Sequence, residues 1–320
     1  MRRGGKTSVD RPGVMPRPVD SHVDRQQAPD WVDRPERSNT LALRLMAWVA
    51  MALGRPVARL LLYPICLYFL PFSTRARSAS SQYLSRVLGR NAHLADSFRH
   101  YHSFASVLLD RVFLLNDQSS RFDVRVHGAE IIDELVTAGE GCVLLGAHIG
   151  SFEIVRSGGR TRGLKISMLM YEENARKVGA VLEAINPDLQ MEIIALGRVD
   201  SILKVEAALA RGEVVGMLAD RTLKGGGTVS CHFLGQQARF PTGPIRIATM
   251  LNRPMALMFG LYRGGNRYEI HLERFAAPKQ SGSQERDPTI EQLLQRYAER
   301  LEYYCRRAPY NWFNFYDFWR

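Results

Sequence analysis

The chain has 320 residues, 46% of them hydrophobic, enough to bury one large core, so a wholly disordered or fibrous protein is excluded. A formal net charge of +11 favours acidic partners: phospholipid head groups, an acidic carrier protein or nucleic acid. The basic residues are scattered and no helix-turn-helix, zinc-finger or RNA-recognition signature accompanies them, which argues against nucleic acid.

Residues 1–38 are rich in Arg, Asp, Pro and Gln, a composition that predicts a disordered polar tail. No apolar stretch follows the basic start within it, so it does not read as a secretory signal. Residues 39–75 change abruptly to "LALRLMAWVAMALGRPVARLLLYPICLYFLPF", interrupted by Arg44, Arg55 and Arg59. Its longest charge-free part, Leu60 to Thr74, falls short of the roughly 20 residues of a bilayer span and contains Pro64 and Pro71. Two helical pieces broken at Gly54-Arg55-Pro56 fit an interfacial or re-entrant membrane anchor, with the arginines, Trp48, Tyr63 and Tyr68 near head groups. The alternative is a pair of buried core helices.

Residues 76–320 read as one catalytic domain. The segment up to Leu115 is helical by period. His93, His100 and His102 lie within it at spacings that suit surface or capping roles better than metal ligation. Strands are expected at 142–146, 166–170, 191–196, 213–219, 254–262 and 267–275, with helices at "RKVGAVLEAI" and "VDSILKVEAALARG" between them. "GGNR" (264–267) makes a hairpin of the last two strands, and a final helix runs from Thr289 to about Arg307. This pattern predicts an α/β fold: a mixed central sheet flanked by helices. Cys66, Cys142, Cys231 and Cys305 form no C-x-x-C pair, which suggests a reduced compartment without structural zinc.

The chemistry concentrates in two places. In "LLGAHIGSFEIVR", a strand ending at Gly146, a glycine turn and a helix starting near Ser151 let Glu153 fold back toward His148. A carboxylate that holds one imidazole nitrogen leaves the other as a general base. No G-x-S-x-G elbow or reactive cysteine supplies a nucleophile, so direct attack by a substrate hydroxyl is expected, with no metal or organic cofactor. In the second place, Asp220 and Arg221 close a strand before three glycines, and "FPTGP" heads a helix. Asp220, Arg221, Arg239 and Arg246 are the candidate substrate-binding residues there, the arginines as a clamp for a phosphate or a phosphopantetheine arm.

His148 and Glu153 in "HIGSFE", the turn "LMYEEN", the Asp220-Arg221 strand end, "FLG" with "ARFPTGPIRIA", the Pro254 strand and the terminal Trp312 block together resemble the late acyltransferases of lipid A biosynthesis. These belong to the lysophospholipid acyltransferase superfamily, and the likeness runs from about Leu41 to Arg320. The resemblance implies a glycerolipid acyltransferase-like fold and a fatty acyl group passed from acyl carrier protein (or acyl-CoA) to a hydroxyl of a lipid or glycolipid. It also implies His148 as base supported by Glu153, at the cytoplasmic face of a bacterial inner membrane. The ending "NWFNFYDFWR" and the "RPERSN" before the anchor are more similar to a less characterised branch, some of whose members accompany aryl polyene pathways. Other acceptors (1-acyl-glycerophosphate, an ornithine lipid, an aryl polyene) and a non-catalytic membrane protein that binds acyl carrier protein are the rival readings.

Overall fold

The computed structural model describes residues 40–319 apart from 162, 187–191, 198–199, 223–225 and 279–286. The polar tail expected over residues 1–38 lies outside the described residues. The apolar segment folds as α1 (Thr40–Phe72), interrupted at Gly54, whose φ of 78° and ψ of 162° are not helical, so the break expected at Gly54-Arg55-Pro56 is present. Small residues make its inner face: Ala50 and Ala58, with Leu62, pack in one core with Val107 and Phe113 of α3 (Leu94–Leu115). Its outer face carries Trp48, Leu60, Leu67, Tyr68 and Phe72, all at least 59% exposed. Ala47–Phe72 is long and apolar enough to cross a membrane by length and composition.

Two of the arginines depart from the expectation that they reach for head groups. Arg55 turns inward and grips the buried Asp110 of α3 with two bonds, Nε to Oδ1 at 2.7 Å and Nη2 to Oδ2 at 2.8 Å. Arg59 donates to the Tyr262 hydroxyl at 2.8 Å, and both arginines reach the Gly265 carbonyl. The physical reason is the carboxylate: a buried Asp110 without a cation would cost several kcal/mol, roughly 3–5. An ion pair and hydrogen bonds on the inner side thus dock α1 against the domain, while exposed aromatic and aliphatic groups line its outer side.

After α2 (Thr74–Leu88) and α3, strands and helices alternate: β1 (Asp123–His127), α4 (Ala129–Ala138), β2 (Cys142–Gly146), α5 (Phe152–Thr161), β3 (Ile166–Tyr171), α6 (Glu172–Ile185), β4 (Ile193–Leu196), α7 (Ser201–Ala210) and β5 (Val214–Leu218). A hairpin of β6 (Thr228–Phe233) and β7 (Gln236–Pro241) follows, then α8 (Gly243–Met250), β8 (Met255–Tyr262), β9 (Arg267–Ala276) and α9 (Ile290–Arg307). Seven strands form one sheet in the order β1-β9-β8-β2-β5-β3-β4. Only the β8–β9 pairing is antiparallel, so the sheet is mixed as expected, with the "GGNR" turn at that hairpin.

Helices cover both faces, so β2 is buried at all five positions, as its unbroken apolar run requires. One core holds the α7, α8 and α9 side with the β6–β7 hairpin and the C-terminal aromatics; the other holds the α1, α3, α4 and α5 side. β1, α4 and the β6–β7 hairpin were not foreseen. In β1 the alternation is shallow and half-exposed. The β6–β7 hairpin turns on Leu234 and Gly235, both at positive φ (49° and 82°), and a leucine there is no turn signal.

The strand order positions the site. The chain leaves β2 for β3 and β4, then returns to insert β5 between β2 and β3. The carboxyl ends of β2 and β5 are therefore neighbours, in register Gly146 to Leu218. Such a reversal leaves a crevice beyond the strand ends, where α/β proteins hold ligands.

Candidate active site

Two residues past each strand end stand His148 and Asp220, so the register that pairs Gly146 with Leu218 also sets these two side by side. His148 Nδ1 lies 2.7 Å from Asp220 Oδ1, and the His148 backbone N–H donates to Oδ2 at 3.0 Å. Asp220 is fully buried, and burial pushes its carboxyl up. The His148 charge and bonds and the Arg221 charge outweigh that and hold it down at about 2. As an ionised acceptor it requires Nδ1 to carry the proton, which leaves Nε2 with its lone pair. The imidazole side chain is 29% exposed, and burial with the Arg221 and Arg111 charges lowers its basicity below the ordinary 6.5 against the pull of Asp220.

Asp220 has four hydrogen bonds, because the C-terminal segment supplies the other two. Trp312 Nε1 donates to Oδ2 at 2.9 Å and Asn314 Nδ2 to the same oxygen at 3.2 Å. This segment runs as a strap across the corner. Gly150 N–H donates to the Asn311 carbonyl at 2.9 Å, Phe313 N–H to the His148 carbonyl at 2.7 Å, and His100 Nε2 lies 2.9 Å from the Trp312 carbonyl. Arg221 ties the strap down, with Nε on Asn314 Oδ1 at 2.8 Å and Nη2 on the Phe313 carbonyl at 3.0 Å. The turn itself needs glycine at 150: φ is +61°, and a Cβ there would lie 1.8 Å from the Gly260 oxygen. A histidine held through Nδ1 by a buried carboxylate at the ends of neighbouring parallel strands can act as a base through Nε2.

The sequence matches the family model of the bacterial lipid A biosynthesis acyltransferases over residues 33–320. The chain belongs to that family. Compared with the curated proteins, it matches none. As a member of the lipid A acyltransferase family it is an acyltransferase of EC 2.3.1 type that takes an acyl donor and a lipid acceptor.

In this acyltransferase Glu153 is not where the spacing placed it. It occupies the first turn of α5, buried, with Oε1 2.7 Å from Arg111 Nε of α3 and Oε2 accepting from Ser151 Oγ at 3.2 Å. Ser151 Oγ accepts in turn from Ile154 N–H at 3.3 Å, capping the helix. The helix therefore carries the Glu153 carboxylate to a guanidinium, and the imidazole takes Asp220, the residue assigned from sequence to substrate binding. Arg221 is brought into the site, but as the strap's tie. Arg239 and Arg246 are exposed on β7 and α8, and neither joins the bonded set around His148.

Arg111, Asn314 and the orienting role of Asp220 escaped the sequence reading. A signal existed for the strap: Asn311 and Asn314 are amides inside an aromatic run, and buried amides need specific partners. His100, read from sequence as a surface or capping group, is instead fully buried, with Nδ1 2.9 Å from Ser80 Oγ. Among the described residues, the group with the spacing of metal ligands is His127, Glu269 and His271 at the β1–β9 edge. Its carboxylate is already taken by Arg263 at 3.2 Å and Arg307 at 3.6 Å, two cations where a metal would need an anion.

Proposed function

We propose that this enzyme moves a fatty acyl group from an acyl thioester, carried by acyl carrier protein, to a hydroxyl of a membrane lipid or glycolipid, with His148 as general base. His148 Nε2 takes the acceptor's proton as its oxygen attacks the thioester carbonyl. Asp220 holds the ring by Nδ1 and stabilises the imidazolium that forms, while Glu153 fixes the first turn of α5 and its arginine partner. The enzyme works at the cytoplasmic face of the inner membrane, where the outer side of α1 lies in the lipid interface and brings the crevice to its acceptor. The observation that carries this reading is the 2.7 Å contact between His148 Nδ1 and the buried Asp220 at neighbouring strand ends.

The test is incubation of the purified enzyme with radiolabelled acyl carrier protein and a total lipid extract, His148→Ala alongside, with the products resolved by mass. A new acylated lipid that falls at least about a hundredfold in the variant is expected. Near-wild-type product from a folded His148→Ala enzyme would remove the mechanism, and donor that binds without transfer would favour a carrier-binding protein.

A further inference from the structure

Acyl transfer needs a group to receive the negative charge on the thioester oxygen. Two guanidinium groups act on the His148 imidazole through space, those of Arg221 and Arg111. Arg221 is engaged: Asn314 and the Phe313 carbonyl hold it, and it lies 6.0 Å from the centre of the Tyr316 ring. Arg111 differs. Its Nε faces Glu153, its side chain is 28% exposed, and its terminal nitrogens have no hydrogen-bond partner among the described residues.

The placement of Arg111 is fixed from three sides. Phe104 lies two turns earlier on the same face of α3 and contacts the Phe313 ring at 5.2 Å, and the Phe313 N–H holds the His148 carbonyl. Glu153, itself steadied by Ser151, makes a close charge contact with Nε at 2.7 Å, though the N–H is not aligned for a hydrogen bond. The preceding residue, Asp110, is locked by Arg55 and the Tyr268 hydroxyl, so α3 cannot roll without breaking a buried ion pair. A guanidinium ion-paired at Nε with its terminal nitrogens open offers a donor pair already in place when charge develops.

On the acyl-transfer reading above, we infer that Arg111 donates to the thioester oxygen as it becomes an oxyanion. The acceptor oxygen bonds to the carbonyl carbon and gives its proton to His148 Nε2, while the carbonyl π pair moves onto the oxygen that Arg111 holds. On collapse that pair re-forms the C=O bond, the C–S bond breaks, and the leaving thiolate takes the proton from Nε2. Glu153 then has a positioning role: it aims Arg111.

Arg111→Ala and Arg111→Lys, each alone and combined with Glu153→Gln, test this under the assay of His148→Ala, with thermal unfolding checking the fold. Loss of one oxyanion donor lowers kcat by about 10²–10³ with little change in KM, and lysine restores part of it. Glu153→Gln alone loses less, and Arg111→Ala still costs at least about tenfold in that background. The inference is overturned if Arg111→Ala adds nothing to Glu153→Gln, which makes Arg111 only a partner of the carboxylate. It is equally overturned if the loss sits in KM alone, which makes Arg111 a ground-state phosphate site. Should Arg111→Ala fail to fold, the lysine variant decides by the same split of kcat against KM. A wild-type enzyme that transfers nothing, or an active His148→Ala, would instead sink the acyl-transfer reading itself; an active Arg111→Ala beside an inactive His148→Ala sinks only this inference.

Discussion

Two aspartates among the described residues are fully buried, and their partners differ in whether they can exchange a proton. Asp110 sits between α1 and the sheet and is held by the Arg55 fork and the Tyr268 hydroxyl. Asp220 sits at the strand ends and is held by His148, Trp312 and Asn314. Arginine keeps its proton at any working pH, so the first pair can only hold parts together. Histidine exchanges its proton near neutrality, so the second pair can pass one on. Burial raises the stakes in both places, and the ionisation of the partner decides what the burial is for.

The comparison breaks first at Asp220. Asp220→Asn keeps the shape, removes the charge that raises the imidazole's basicity and frees Nδ1 to take the wrong tautomer, so kcat should fall by about 10³–10⁴ with the fold retained. The wild-type pH profile of kcat/KM carries the sign. On the proposed mechanism the neutral imidazole is the base, and its value lies below 6.5, so activity should hold at pH 7 and decline only as pH falls through that lowered value. An acid limb at or above 6.5, or an Asp220→Asn enzyme with near-normal kcat, would mean that Asp220 is a second clasp.

At Asp110 the same chemical change should act on stability. Asp110→Ala leaves Arg55 buried without its partner, at about 3–5 kcal/mol. Urea unfolding in detergent reads that loss as a lower midpoint at unchanged slope, while kcat of the folded fraction changes far less than for Asp220→Asn. Deletion of residues 40–72 follows from the same geometry. It strips Asp110 of its cation and uncovers the α3 face, so an aggregated product is expected from that chain rather than a soluble enzyme. A folded, soluble truncation would show that α1 is a detachable tether.

Trp312 sharpens the contrast with a smaller change. Trp312→Phe keeps an aromatic ring against Tyr83 and Phe233 but withdraws one of the four donors from Asp220. One missing bond to a buried charged group costs about 1.5–3 kcal/mol, and a kcat loss of about tenfold beside a modest fall in Tm is the expected division. A fall in Tm with no change in kcat would assign the strap to packing alone.

These pairs also show what a sequence carries and what it withholds. The break at Gly54, the six strands that flank the site, the hairpin at "GGNR" and the α9 boundary were legible because apolar period, glycine and proline act over a few residues. The corner after β2 was legible for the same reason, and it placed His148. Its partner was not, because Asp220 lies 72 residues on and reaches His148 only through the insertion of β5 beside β2. Spacing favoured Glu153, five residues away, although helix α5 carries that carboxylate to Arg111. Arg55 and Arg59 misled for the opposite reason. Charges in an apolar run suggest an interface with water, and their buried acceptors lie on distant parts of the chain.

The smallest effect is expected where a cation has neither kind of partner. Arg246 is exposed on α8, and the nearby carboxylate that feels its charge, Glu291, is on the surface as well. Water and salt screen such a pair, so Arg246→Ala should leave kcat within about twofold and Tm nearly unchanged. Its remaining scope is the donor. If α8 meets an acidic carrier, the variant raises KM for acyl carrier protein several-fold at low salt, and the difference fades as salt rises. The same KM for wild type and variant at low salt would take Arg246 out of the donor surface. A large loss of kcat would be the more damaging result, because a surface charge would then matter as much as the two buried aspartates, and burial would no longer divide the charges that govern this enzyme from those that do not.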